Sequence, residues 1–205
     1  MHTGGSLRLD EARNLAEQME QEAGELGNRW AVAMMRVLLA NIGLWQGRLT
    51  EALERSDAAI SVLRELGDPW GELQAMSPLI IANTMLGEYG RAQALIDEIE
   101  TVGFQVLDAS MNRLPGLVRA AIAVMTGDDR ADALAQGLLA DLEEQMFIND
   151  EQRGILGLAR LQQGDMDGGL DILERARGLA FGSIYTRDGR LAVSVVQEGV
   201  IRLLR

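Results

Sequence analysis

The hexapeptide Glu25-Leu26-Gly27-Asn28-Arg29-Trp30 returns forty positions later as Glu65-Leu66-Gly67-Asp68-Pro69-Trp70. A chain that repeats itself at such an interval is restricted to a row of equivalent units, each burying its apolar face against the next. Each copy reads as a joint between two helices. Gly27 and Gly67 suit the left-handed position just past a helix end, and Asn28 and Asp68 suit the N-cap of the helix that follows. Pro69 falls at the first helical position, where its missing N–H costs nothing.

Counting outward from these joints extends the pattern. Gly47 and Gly87 are forty apart, as are Ala12, Ala52 and Ala92; Gly127 is forty beyond Gly87, and Gly164 follows after thirty-seven. Gly47, Gly87, Gly127 and Gly164 thus mark four helical hairpins. The first hairpin has an apolar helix from Asn28 to about Gln46, then a helix whose buried face is Ala52, Ser56, Ala59, Ile60 and Leu63. Small residues on that face allow close approach of the pair. The second has a helix from Pro69 to about Leu86 and a partner carrying Leu95, Ile96 and Ile99. Pro78 is expected to kink its helix, and Pro115 to break or restart the first helix of the third hairpin. In that hairpin the small residue is displaced to Ala131 or Ala133. Before Gly27 stands half a repeat, with Ala12, Leu15, Ala16, Met19, Ala23 and Leu26 on one apolar face.

The expected fold is all-α, a superhelix of about four hairpins plus the N-terminal half-repeat, forming a single domain over residues 7–205. Residues 1–6 read as a flexible lead-in, Phe181–Tyr185 as a loop, and residues 190–205 as an amphipathic capping helix. With 47% hydrophobic and only 4% aromatic residues, the composition suits close-packed helices.

Absences restrict the chemistry. There is no cysteine, all nineteen basic residues are arginine, and the sole histidine is His2 near the terminus. Thiolate nucleophiles, Schiff-base lysine, a phosphate-binding Walker lysine and a Ser-His-Asp triad are therefore excluded. Asp165-Met166-Asp167-Gly168 resembles the start of a calcium loop, but Leu170 stands where that loop needs glycine and Ala176 where it needs glutamate. N-capping accounts for Asp165, and equally for Asp128-Asp129. Glu98 with Glu100 and Glu143-Glu144 read as solvated faces. The expectation is a non-enzyme with no cofactor and no metal. A net charge of −12 argues against nucleic acid or anionic membrane as partner. With no apolar run of roughly eighteen residues and no secretory leader, the expected location is cytoplasmic.

The residues resemble the tetratricopeptide repeat family, whose pattern places Leu-Gly in the first helix and Ala at two places in the second. Leu156-Gly157 stands as that pair, followed by Gly164 and Ala176. Leu39-Ala40 with Gly47, Ala52 and Ala59, and Leu79-Ile80 with Gly87, Tyr89 and Ala92, follow the same pattern; the third hairpin keeps Gly127. The resemblance covers about residues 7–180. The interval of forty is similar to the extended repeats in sensor and scaffold regions of large bacterial transcription regulators.

That resemblance implies that the first helices line a concave groove that binds a peptide or helix. The groove candidates are Trp30, Met34, Val37 and Asn41, continuing to Leu44, and Trp70, Gln74, Ser77 and Ile81, continuing to Thr84. The family's carboxylate clamp is absent: Asn41 fills one of its places, but Val37, Pro78, Leu114 and Val118 occupy the others. The functional expectation is a protein-interaction module with a protein or peptide partner. The alternative is a ligand-sensing regulatory domain of a bacterial transcription regulator or signalling ATPase. The unpaired half-repeat also leaves an apolar face that a second copy could cover, forming a homodimer.

Overall fold

The computed structural model describes residues 6–106, 114–143, 156–161 and 163–180. Among them the regular structure is entirely α-helical: α1 (Ser6–Glu25), α2 (Arg29–Trp45), α3 (Leu49–Leu66), α4 (Pro69–Met85), α5 (Tyr89–Val106), α6 (Leu114–Thr126), α7 (Ala131–Glu143), α8 (156–161) and α9 (Met166–Ala180). The lead-in at 1–5, the Phe181–Tyr185 loop and the capping helix at 190–205 lie outside the described residues. Ser6, placed in the lead-in by the sequence, is the first residue of α1.

One joint recurs six times among the described residues. Gly27, Gly47, Gly67, Gly87, Gly127 and Gly164 all have φ between +67° and +87°. At Gly27 the glycine N–H donates to the Gly24 carbonyl and the Asn28 N–H to the Ala23 carbonyl. The same pair of bonds recurs at Gly67 (to Arg64 and Leu63) and at the other four glycines. This arrangement satisfies two carbonyls left over at a helix end, and the left-handed residue at its centre strongly favours glycine. At three of the joints the residue after the glycine caps the next helix with its side chain. The Asn28 side chain accepts from the Ala31 N–H, Asp68 from Gly71, and Asp165 from Gly168. Gly27, Gly47, Gly67 and Gly87 are twenty apart, so the repeat of forty is two near-equal half-turns of chain.

The chain divides into two compact units, Met1–Pro115 and Gly116–Arg205. In the first, α1 to α5 pack each on the next, and α2 additionally packs directly on α4. The face expected for α3 is buried as read: Ala52, Ser56, Ala59, Ile60 and Leu63. Gly43 and Ala52 bring α2 and α3 close, a Cβ at Gly43 lying 3.7 Å from that of Ala52. In the next hairpin Asn83 replaces Gly43; it is fully buried and donates to the Leu79 carbonyl at 2.8 Å. Helix α4 runs on through the buried Pro78.

Helices α1, α3 and α5 form a second row joined by long charged side chains: Glu20 to Arg55 (2.7 Å), Asp57 to Arg91 (3.1 Å), and Arg64 to Glu98. Glu98 is therefore half of an ion pair and not a freely solvated charge. Helix α1 departs from the expected face. Ala16 and Ala23 are buried, but Leu15, Met19 and Leu26 are exposed, and Arg13 turns inward in their place. Its guanidinium donates to Gln46 Oε1 (2.8 and 3.0 Å) and to Glu51 Oε1 (2.5 Å), while Gln46 donates to Asp10 (2.8 Å). An arginine can be buried only with its donors satisfied, and Gln46 and Glu51 supply the acceptors.

Helix α6 starts at Leu114, with Pro115 in its first turn, where its missing N–H is tolerated, and the rest of the helix belongs to the second unit. Its core gathers Ala120, Ala123, Val124, Ala131, Ala135, Leu156, Ala159 and Leu173. Ala131 is buried and Ala133 exposed, which decides where the displaced small residue went. In the last hairpin a Cβ on Gly157 would lie 2.7 Å from Leu173, and one on Gly169 would lie 2.9 Å from the Gly157 carbonyl. Helices α8 and α9 thus meet backbone to backbone.

Candidate binding surface

The direct packing of α2 on α4 puts two first-of-hairpin helices side by side. Helices α1 and α3, and α3 and α5, approach less closely and are bridged by arginine and carboxylate side chains. The contact of α2 with α4 gives these two helices a shared side away from the row of α1, α3 and α5. The side chains on that side of these two helices are the candidate surface.

Trp30 and Trp70 lie at the N-terminal ends of α2 and α4 and are 47% and 43% exposed. Large aromatic side chains left this open on a monomer mark a surface able to gain much by being covered. They occupy equivalent positions but are held differently. The Trp30 indole N–H donates to Asp68 Oδ2 at 2.7 Å, while Asp68 Oδ1 accepts from the Gly71 N–H at 3.0 Å. Asp68 therefore caps α4 and fixes Trp30 at once. Gly71 leaves the room for this, since a Cβ there would stand 2.6 Å from Asp68 Oδ2. Arg29 pairs with Glu65, and Arg64 with Glu72 at 2.5 Å, so these charges beside the tryptophans are paired locally, and the Asp68 carboxylate is held by two N–H groups. The Arg64 guanidinium has its pKa raised by its hydrogen bond to Glu72 and by the charges of Glu72 and Glu98.

Along α2, Met34 and Asn41 are half-buried and Val37 is buried. Leu38, which sequence reasoning passed over, is exposed. The open stripe is thus Trp30, Met34, Leu38, Asn41. Val37 and Leu44 point into the packing, Leu44 with Ala52 and Ala82. The apolar run Val37-Leu38-Leu39 contains no polar residue to mark its outer side, which is why periodicity alone misplaced the stripe by one residue. Asn41 donates its amide to the Val37 carbonyl at 2.9 Å. Along α4, Trp70, Gln74, Ser77, Ile81 and Thr84 are all at least partly open. Ile81 also packs against the Leu44, Ala52, Ala82 cluster, and Gln74 is held by contacts of its own. No charged side chain belongs to either stripe.

Among the described residues no group of three or more histidine or acidic side chains could hold a metal ion. The Asp165 side chain accepts from the Gly168 N–H at 3.0 Å, which is an N-cap. Asp128 accepts from both the backbone and the guanidinium of Arg130, and that arginine holds its carboxyl down at about 2. Glu51 is pushed up by burial but pulled down further by the hydrogen bonds and charges of Arg13 and Arg55, so its pKa is lowered on balance. These carboxylates are tied to arginines that hold the helices and cap the turns. No helix of the described residues is long and apolar enough to cross a membrane. No protein-family model matches the chain, and no curated protein matches it in sequence.

Proposed function

We propose that the chain is a protein-interaction module that takes a peptide or a helix along the α2/α4 surface, without catalysis. The observation that carries this reading is an uncharged open face on two directly packed helices, anchored at one end by Trp30 and Trp70. Trp30, Met34, Leu38, Trp70 and Ile81 offer apolar area, and Asn41 and Ser77 offer an amide oxygen and a hydroxyl group suited to a peptide backbone. A face without charge selects its partner by shape and apolar content, so binding there should vary little with salt. The forty-residue repeat and its resemblance to tetratricopeptide arrays support the same reading.

The test is to replace Trp30, Leu38 and Trp70 together by Ala, Asn and Ala and to measure retention of partners that co-purify with the unaltered chain. These side chains are exposed, so helicity by circular dichroism should be preserved. Loss of the retained partner is the expected result; undiminished retention with intact helicity would refute the assignment.

A further inference from the structure

A helix and an extended peptide ask different things of a surface. The inner carbonyls of a helix are bonded within it, so only its side chains reach out, whereas a polyproline helix has no internal hydrogen bonds and leaves each carbonyl free. The open face of α4 holds unused donors. The Trp70 indole N–H and the Ser77 hydroxyl make no hydrogen bond among the described residues. The equivalent indole on α2 is already used: Trp30 donates to Asp68 at 2.7 Å, which ties its ring to the N-cap of α4. One tryptophan is thus fixed by the protein, and the other keeps its donor for a ligand.

Spacing points the same way. Helices in direct contact have axes about 8–10 Å apart, and Trp30 and Trp70 hold equivalent positions on two such helices, displaced by about that distance. A polyproline helix rises about 3.1 Å per residue with three residues per turn, so the same side returns every 9 Å or about that. Two prolines three residues apart therefore match the two tryptophan positions. A proline ring against an indole buries apolar area on both, and ordering them costs little, since proline has no rotamers to lose and tryptophan has few.

Charge narrows the ligand further. Neither stripe carries a charged side chain, and the carboxylates beside the tryptophans are occupied: Glu65 by Arg29, Glu72 by Arg64, and Asp68 by the Trp30 and Gly71 N–H groups. A basic peptide finds no carboxylate within the stripes, and an acidic one meets a chain of net charge −12. The complement is an uncharged segment rich in carbonyls and poor in N–H groups. Proline supplies a carbonyl and no N–H.

Granted that partners are held on the α2/α4 surface, on which this rests, we propose that the segment held there is an uncharged, proline-rich stretch of a partner protein in the polyproline conformation. Two of its prolines, three residues apart, lie on Trp30 and Trp70, and one of its carbonyls accepts from the Trp70 indole N–H.

The experiment titrates the full chain into three fluorescent, end-capped peptides of equal length. The first is oligoproline; the second has proline at every third position with Ala, Gln and Leu between; the third has Ala in place of every proline of the second and so favours a helix. Fluorescence anisotropy should show binding of both proline peptides, with little change as salt rises, and at least tenfold weaker binding of the third. Trp30→Ala with Trp70→Ala should weaken the proline peptides roughly tenfold or more, as two aromatic contacts are lost. Trp70→Phe keeps a ring and removes the N–H, and should weaken them several-fold. Leu15→Asn, on α1, should leave them unchanged. Circular dichroism checks that each variant keeps its helicity. Failure of both proline peptides to bind would overturn the proposal, as would binding undiminished in the tryptophan double variant or in Trp70→Phe. Tighter binding of the third peptide would also overturn it; if that binding were lost with Trp30→Ala and Trp70→Ala, the α2/α4 surface would stand as a site for a helix, so the two readings fail separately.

Discussion

The hairpin of α2 and α3 and the hairpin of α8 and α9 share one turn, with the same left-handed glycine and the same two backbone bonds, yet they are closed in different ways. The first keeps a methyl group between its helices, Ala52 against Gly43, and is bound to α1 by the buried Arg13 and its acceptors. The last has no such spacer: Gly157 and Gly169 face each other, and Leu173 and Leu161 close over them. A turn therefore fixes the direction of the chain but not the separation of the helices it joins. Separation is set where the helices touch, Gly43 against Ala52 in one hairpin and Gly157 against Gly169 in the other; Ala52 and Gly169 both stand five residues after the joint glycine.

The comparison breaks most visibly at Arg13. If polar contacts stitch the first unit, Arg13→Ala leaves the Gln46 carbonyl oxygen without its donor and Glu51 with the hydrogen bond of Arg55 alone, and should destabilise that unit by roughly 2–3 kcal/mol in urea denaturation. The same experiment on the glycines sharpens the contrast. Gly157→Ala forces a Cβ into Leu173 and the Gly169 carbonyl and should cost about 1–3 kcal/mol. At Gly43 the nearest atoms are 3.4 Å or more away, so Gly43→Ala should be neutral or stabilise by up to about 1 kcal/mol through helix propensity. Equal effects at the two glycines would mean that the hairpins do not differ as described.

A smaller effect separates the two copies of the repeated hexapeptide. Asn28→Ala should cost about 1 kcal/mol as the loss of an ordinary cap. Asp68→Ala removes a cap and the anchor of Trp30, so it should cost about 1 kcal/mol more and alter the near-ultraviolet circular dichroism of the tryptophans. The smallest effect is acid sensitivity. Glu51 has a lowered pKa when folded, so its contribution is complete above its ordinary value of 4.5 and is lost as pH falls through the lowered one. Asp128 behaves alike in the second unit, losing its contribution only near about 2. Glu51→Gln should therefore reduce the loss of thermal stability of the first unit between neutral pH and pH 4 or below, read from melting curves across pH.

The joints were legible because each is local: a glycine in the left-handed region and a capping Asn or Asp lie next to each other in the chain. The buried face of α3 was legible for a related reason, since a helix flanked on both sides buries a broad stripe that its period reveals. Helix α1 was read less well. With one close neighbour it needs only a narrow buried strip, and Arg13 is drawn inward by Gln46 and Glu51, which are more than thirty residues away. The bond from Trp30 to Asp68 spans thirty-eight residues and was likewise invisible to periodicity. On the candidate surface, α4 announced its open side through Gln74, Ser77 and Thr84, whereas the apolar run of α2 concealed that Leu38, and not Val37, faces outward.

The central proposal is that partners are held on the α2/α4 surface, and photo-crosslinking addresses it most directly. A photoreactive residue is placed singly at Leu38 on α2, at Ser77 on α4, and at the exposed Ser61 on α3 as the comparison. The account predicts crosslinks to one and the same partner from Leu38 and Ser77, unaffected by salt, and none to it from Ser61. Crosslinking of that partner from Ser61 alone, or equally from all three positions, would contradict it.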